Sequence, residues 1–316
     1  MDKKLHTPKT LVEAVRYYAD PDRALAVMVE VRWPNGVQCP TCGTKRVRFI
    51  STRRMWECTE KHPRRQFSVK VGTIFEDSPL SLDKWLIAVW MIANCKNGVS
   101  SYEIARALGI TQKSAWFMLH RIRTAMRTGT FLKMKGRVEA DETYVGGNMK
   151  FMHKAKREQA RRRGHFGRTI VAGLLDRKHG TVHAKVVGAA TAEELFPFIS
   201  EHVEPGSEML TDAAKVYRGL TPVQYVHEFV GHSEQYVRDH VHTNGLENFW
   251  SLLKRSIKGT YVSVEPEHLN SYVDEQAFRF NRRKGTDATR FRTVLDTVTG
   301  RRLTYKALTA RVLVLA

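Results

Sequence analysis

Three acids, Asp141, Asp212 and Glu247, and one group of soft ligands, Cys39, Cys42, Cys58 and His62, carry the chemistry open to this sequence. Asp141 lies within Val138-Glu-Ala-Asp-Glu-Thr-Tyr-Val-Gly-Gly147, a segment that reads as a strand ending in paired glycines. An acid in the middle of a central strand is costly to bury unless it meets a cation or a partner. Asp212 follows the short apolar run Met209-Leu-Thr211, at a strand end. Ligands gather at the C-terminal edges of strands in α/β folds. Glu247 falls on a helix over 244–258 whose apolar stripe is Leu246, Phe249, Trp250, Leu253 and Ile257, with Lys254 and Lys258 along the same flank as the acid. Two strand aspartates and a helix glutamate can hold a pair of magnesium (or manganese) ions about 3.5–4 Å apart, suited to in-line phosphodiester displacement. Magnesium prefers oxygen donors, so acids rather than histidines are the right ligands.

Cys39-Pro-Thr-Cys42 has the spacing of a zinc knuckle, and Cys58-Thr-Glu-Lys-His62 supplies a second pair. Three thiolates and an imidazole complete a tetrahedral Zn2+ site on a small β-ribbon. So small a module needs the metal to fold. Cys95 is the rival fourth ligand, but it ends an apolar run from Trp85 and reads as a buried thiol. Arg46, Arg48, Arg53, Arg54, Arg64 and Arg65 surround the site and are open to phosphate or to solvent.

The elements that must position these groups follow from local signals. Residues 8–30 read as helical, broken at Asp20-Pro-Asp22. Strand-like pieces at 46–50 and 66–71 frame the ribbon. Ser100 or Ser101 can cap a helix over 103–108, Gly109 supplies a tight turn, and Thr111 caps a second helix to Arg127. This is a helix-turn-helix pattern with Gln112, Lys113 and Ser114 at the tip that would enter a major groove. Arg121 and Lys258 are counted with them as DNA contacts, and Trp116, Phe117, Leu119 and Ile122 as core. From 137 onward the order is three strands, helix, strand, helix, strand, helix, interrupted by a basic stretch at 150–168 that reads as an exposed loop. Three early strands followed by βα alternation make a mixed α/β sheet.

With 316 residues, 42% apolar, the chain can bury a core, and its net charge of +20 favours a polyanionic partner, DNA above all. No run approaches the roughly 18 apolar residues of a membrane span, and the start lacks a signal peptide, so an intracellular protein is expected.

Several longer stretches resemble bacterial insertion-sequence transposases of the DDE class with an N-terminal zinc ribbon: Gln66-Phe-Ser-Val-Lys-Val-Gly-Thr-Ile-Phe75, Ala115-Trp-Phe-Met-Leu-His-Arg121, Asp141-Glu-Thr-Tyr-Val-Gly-Gly147, Leu210-Thr-Asp212, His242-Thr-Asn-Gly-Leu-Glu-Asn-Phe-Trp-Ser-Leu-Leu-Lys254 and Tyr272-Val-Asp-Glu-Gln-Ala-Phe-Arg-Phe-Asn-Arg282. The resemblance implies an RNase H-like catalytic domain, a homo-oligomer acting on transposon ends and target DNA, and a cytoplasmic, nucleoid-associated location. It also makes Asn244, one helical turn before Glu247, a second candidate for the third metal ligand. The domains expected are an N-terminal helical segment (1–36), the zinc ribbon (37–75), the helix-turn-helix (76–130), the catalytic domain (131–290) and a C-terminal tail (291–316). Two other functions are compatible with parts of the pattern: a DNA-binding regulator without catalysis, and another RNase H-like nuclease that cuts without joining.

Overall fold

The first helices start where their caps dictate. Thr10 accepts the amide of Glu13 ahead of α1 (Leu11–Tyr18), and Asp20 accepts the amides of Asp22 and Arg23 ahead of α2 (Pro21–Arg32). In this computed structural model the described residues are 7–127, 133–146, 154, 157–158, 168–212, 215–219, 224–230 and 242–310. The chain forms two compact units, Met1–Met126 with Lys284–Ala316, and Arg127–Arg283.

In the first unit, β1 (Val47–Ile50), β2 (Met55–Cys58) and β3 (Gln66–Phe67) make an antiparallel ribbon. The last strand is shorter than the 66–71 expected, because the chain turns away after Phe67. The ribbon is too small to bury its own aromatic rings. Trp33, just past α2, packs edge-on against Trp56 and Phe67 at 5.5 and 6.0 Å. α3 (Leu82–Asn94) is apolar nearly all round and lies at the centre, with Trp85, Leu86, Ala88, Val89, Trp90 and Ile92 buried. α4 (Ser101–Leu108) opens on a reciprocal capping box between Ser100 and Glu103 and stops at Gly109 (φ +59°). α5 (Gln112–Met126) follows.

The second unit begins with β4 (Arg137–Val145), β5 (Thr169–Asp176) and β6 (Thr181–Val187), then α6 (Ala192–His202), β7 (Glu208–Asp212) and β8 (Val226–Val230). The sheet order is β6-β5-β4-β7-β8, with β4, β5 and β6 antiparallel and β4, β7 and β8 parallel. α7 (Asn244–Ser256), a π-helical turn (Ile257–Tyr261) and α8 (Pro266–Asn281) complete it. Alternation along the strands divides the core between the two faces. Ile170, Ala172 and Leu174 pack with Leu195, Phe198 and Ile199 of α6. Val171 and Leu175 pack with Leu246, Phe249, Trp250 and Leu253 of α7 and Val273 of α8.

The C-terminal segment then corrects an expectation. It is not a tail. α9 (Asp287–Leu295) buries Phe291, Val294 and Leu295 in the first unit, and Phe291 lies 5.1 Å from Trp90 and 5.6 Å from Tyr18. Beyond it, Val298 accepts the amide of Ile74 and Gly300 donates to Gly72, before the short α10 (Tyr305–Thr309). The expected 1–36, 37–75 and 76–130 therefore fall in one compact unit with the C-terminus, and the sheet unit closes at Arg283, earlier than 290. The reason is that α3 exposes apolar surface on every side, which short neighbours from both chain ends cover. Most of the basic stretch 150–168 lies outside the described residues.

Candidate active site

The parallel pairing of β4 with β7 runs Arg137–Glu208, Val138–Met209, Glu139–Leu210, and stops there. Asp141 and Asp212 each lie two residues beyond that last pair. The register therefore carries them to the same level, Asp212 at the C-terminal end of β7 and Asp141 in the middle of β4, just past the last pair with β7. Along β4, Glu139 and Asp141 turn to the α7 face, where Leu246 and Trp250 receive them. Glu142 turns to the opposite face, where its Oε2 accepts the hydroxyl of buried Tyr217 at 2.7 Å. α7 then brings Glu247, Trp250, Ser251, Lys254 and Arg255 to the same edge, and the π-helical turn adds Lys258. These residues, with Asp141, Glu142 and Thr143, line a cleft of about 610 Å³.

The floor of the cleft is electrostatically strained. Burial, with the neighbouring charges of Glu142 and Asp212 adding to it, pushes the Asp141 carboxyl up to about 7. Burial likewise raises Glu142, and Asp212 adds to the shift. Carboxylates forced together in this way gain from a cation between them. Two donors hold Asp141 in place: the amide of Glu142 to Oδ1 and the indole of Trp250 to Oδ2, each at 2.9 Å. Trp250 reaches it by lying on Gly173, the cross-strand partner of Asp141, where a Cβ would stand 2.6 Å from the ring. The rim is basic, with Lys254, Arg255 and Lys258. Hard oxygen donors below and cations above suit a divalent metal and a phosphodiester.

The structure gathers Asp141, Glu247, Lys254 and Lys258 in this cleft, with Asp212 coupled to Asp141 from the neighbouring strand. Asn244, the first residue of α7, is exposed and is not among the lining residues. Two acids received no role from the sequence. Glu142 was visible only as the neighbour of Asp141. Glu139 is 1% exposed, accepts Arg177 Nε at 2.7 Å and the amide of Leu246 at 2.9 Å. The signal that could have marked it is the alternation Glu139-Ala-Asp141, which puts two acids on one face of the strand.

In the ribbon, one ligand atom from each of Cys39, Cys42, Cys58 and His62 lies within 4.8 Å of the others. His62 Nδ1 is 2.7 Å from the carbonyl of Pro63 and donates to it, which leaves the Nε2 lone pair towards Cys39 Sγ at 3.4 Å. That arrangement fits tetrahedral zinc. Cys95 is apart from the cluster, and as the C-cap of α3 it is only half-buried, not the buried thiol expected. Most of the surrounding arginines have local partners: Arg46 with Glu60, Arg48 with Glu57, Arg53 with Gln66 and Arg54 with Asp22.

At the α4–α5 turn, Lys113 is exposed and lies 5.0 Å from the ring of Tyr305, Gln112 donates to Ser101 at 2.8 Å, and Ser114 accepts from Thr111. Leu119 and Ile122 are buried as expected, whereas Trp116 and Phe117 are only half-buried. Arg121 departs furthest. It is 3% exposed, donates to the carbonyl of Glu76 and lies over Trp85 and Phe117 at 5.2 and 5.3 Å, so its guanidinium serves the core and faces no DNA. Among the described residues no helix is long and apolar enough to cross a membrane.

Residues 133–281 match the family model of the ISXO2-like transposase domain, and residues 20–60 match that of the transposase zinc-ribbon domain. The chain is 26% identical over 297 residues to an uncharacterized protein in transposable element ISH50 of Halobacterium salinarum, covering 90% of this chain and 98% of the relative. It is 32% identical over 100 residues to an uncharacterized transposase-like protein of Haemophilus influenzae, covering 32% of this chain and 80% of the relative.

Proposed function

We propose, from the premise that this chain belongs to the ISXO2-like insertion-sequence transposases, that it cleaves the ends of its own element and joins them to target DNA in the cleft of the second unit. The observation that carries the reading is the convergence of Asp141, Glu142 and Glu247 beneath Lys254, Arg255 and Lys258. The sheet order β6-β5-β4-β7-β8, three antiparallel strands followed by two parallel ones with helices on both faces, supports an RNase H-like catalytic domain.

Asp141, Asp212 and Glu247 would hold the divalent metals, magnesium or manganese. Oxygen donors and the strained negative charge at Asp141 fit such ions. Bound there, the metals would activate a water or the 3′-hydroxyl of a DNA end and stabilise the leaving oxygen. The chain's own groups do the rest. Trp250 and the Glu142 amide orient Asp141. Lys254 and Lys258 draw the phosphate backbone to the cleft edge. In the first unit the zinc-loaded ribbon and the α4–α5 turn, through Gln112, Lys113 and Ser114, contact the transposon end. A DNA-binding regulator would need none of these acids at one strand edge.

The test is incubation of the zinc-loaded protein with DNA flanking its own gene and magnesium, scoring nicked and joined products separately. Both products are expected. Cutting without joining would indicate a nuclease, and neither product would leave only DNA binding.

A further inference from the structure

We propose that Glu139 is a positioning residue that locks α7, and with it Glu247, against the strand that carries Asp141. The inference rests on the reading of Asp141 and Glu247 as metal ligands. The first-turn amides of a helix have no partner within it and require an outside acceptor. For α7 the N-cap residue Thr243 makes no side-chain cap. Glu139 takes its place from across the fold, accepting the amide of Leu246 at 2.9 Å. A carboxylate is also the group the positive end of the helix dipole favours.

The surroundings are built around this contact. A Cβ on Gly245 would stand 2.8 Å from Glu139 Oε2, so a glycine there is what admits the carboxylate to the helix end. Arg177 binds the other oxygen through Nε at 2.7 Å, and its Nη2 also donates to the carbonyl of His242 at 2.7 Å. The entry to the helix and the strand are thereby tied to one buried carboxylate. A buried ion pair adds little net stability, because desolvation offsets the attraction. Fixed placement is what this one provides: Glu139 is two residues from Asp141 on the same face, and Leu246 is the neighbour of Glu247.

The test uses the full, zinc-loaded chain without DNA and measures manganese binding by calorimetry alongside thermal melting, for wild type, Glu139→Ala and Gly245→Ala. Outer groups that orient metal ligands typically change affinity about ten- to a hundredfold, and a loss in that range is expected for both variants. Gly245→Ala keeps the carboxylate and displaces it, because the new Cβ would meet Glu139 Oε2 at 2.8 Å and Leu175 Cδ1 at 2.9 Å, so its melting temperature should fall. Manganese binding, measured well below that melting temperature where the chain is folded, should weaken as well. Should Glu139→Ala fail to fold, Gly245→Ala decides alone. Wild-type affinity in Gly245→Ala would overturn the proposal. If the wild type itself binds no manganese, the assignment of Asp141 and Glu247 as ligands fails first, and this inference with it.

Discussion

The indole N–H of Trp250 donates to Asp141 Oδ2 at 2.9 Å, so a helix residue one turn past Glu247 orients the central acid of the sheet. A hydrogen bond to a charged group is worth about 1.5–3 kcal/mol. Trp250→Phe keeps most of the ring and removes the donor. DNA cleavage should slow about tenfold or more, with DNA affinity unchanged. Gly173→Ala should slow it as well, since the new Cβ would meet the ring at 2.6 Å. Single-turnover rates on a labelled transposon end check both, and an unaltered rate in Trp250→Phe would remove this residue from the mechanism.

Glu247 lines the cleft and Asn244 does not. Glu247→Gln and Asp212→Asn should each reduce cleavage and joining by a thousandfold or more, equivalent to about 4 kcal/mol of transition-state stabilisation. Asn244→Ala should retain most activity. The reverse order in the same assay would transfer the third ligand to Asn244.

The ribbon should contain one zinc per chain. Cys39→Ser or His62→Ala should lose it and melt the ribbon, because so small a module depends on the metal for its folding energy. Atomic absorption measures the metal, and Cys95→Ser serves as the control that keeps it. Full zinc in His62→Ala would exclude His62 as a ligand.

Exposed Lys258 and buried Arg121 should behave differently in DNA binding. Lys258→Ala should weaken binding to all sequences and reduce the salt slope of log affinity by about one. Arg121→Ala should leave that slope unchanged and lower the melting temperature instead, since its contacts are with Glu76, Trp85 and Phe117. Binding titrations between about 50 and 200 mM salt distinguish them.

His183 gives the sheet unit a pH dependence. Burial, reinforced by His202 with its ring 5.2 Å away, lowers its pKa to about 4. Unfolded, it titrates near 6.5. Above that value it is neutral in both states and its stabilising effect is complete. As the pH falls from 6.5 towards 4, the unfolded chain takes up a proton that the folded one does not, and stability drops. The loss between pH 7 and pH 5 should reach at most about 2 kcal/mol. His183→Leu should flatten that part of the melting profile, and an unchanged slope would assign the loss to other groups.

By itself the sequence determined what depends on neighbours along the chain. The cluster of Cys39, Cys42, Cys58 and His62 follows from pair spacing, the break before α2 from Asp20-Pro-Asp22, and the starts of α4 and α5 from their caps. The three early strands, the helix after them and the next strand follow from apolar periodicity, whereas the helix expected between the last two strands is, among the described residues, only a 3-10 turn at Lys215–Gly219. Tertiary structure decided what depends on partners far apart in sequence. The level alignment of Asp141 with Asp212 needs the pairing of β4 with β7, which no local pattern encodes. Glu139 reads as one more acid until Leu246, 107 positions later, presents an amide to it. Arg121 reads as a DNA contact by charge alone, yet the same guanidinium can cover aromatic rings when a helix turns it inward. The segment after 290 reads as a tail because it lies beyond the stretches that carry the resemblance, and it becomes core because α3 leaves a surface that Phe291, Val294 and Leu295 fit. Charge and periodicity set what each residue can do, and the side chains brought within reach by folding set which of those possibilities is used.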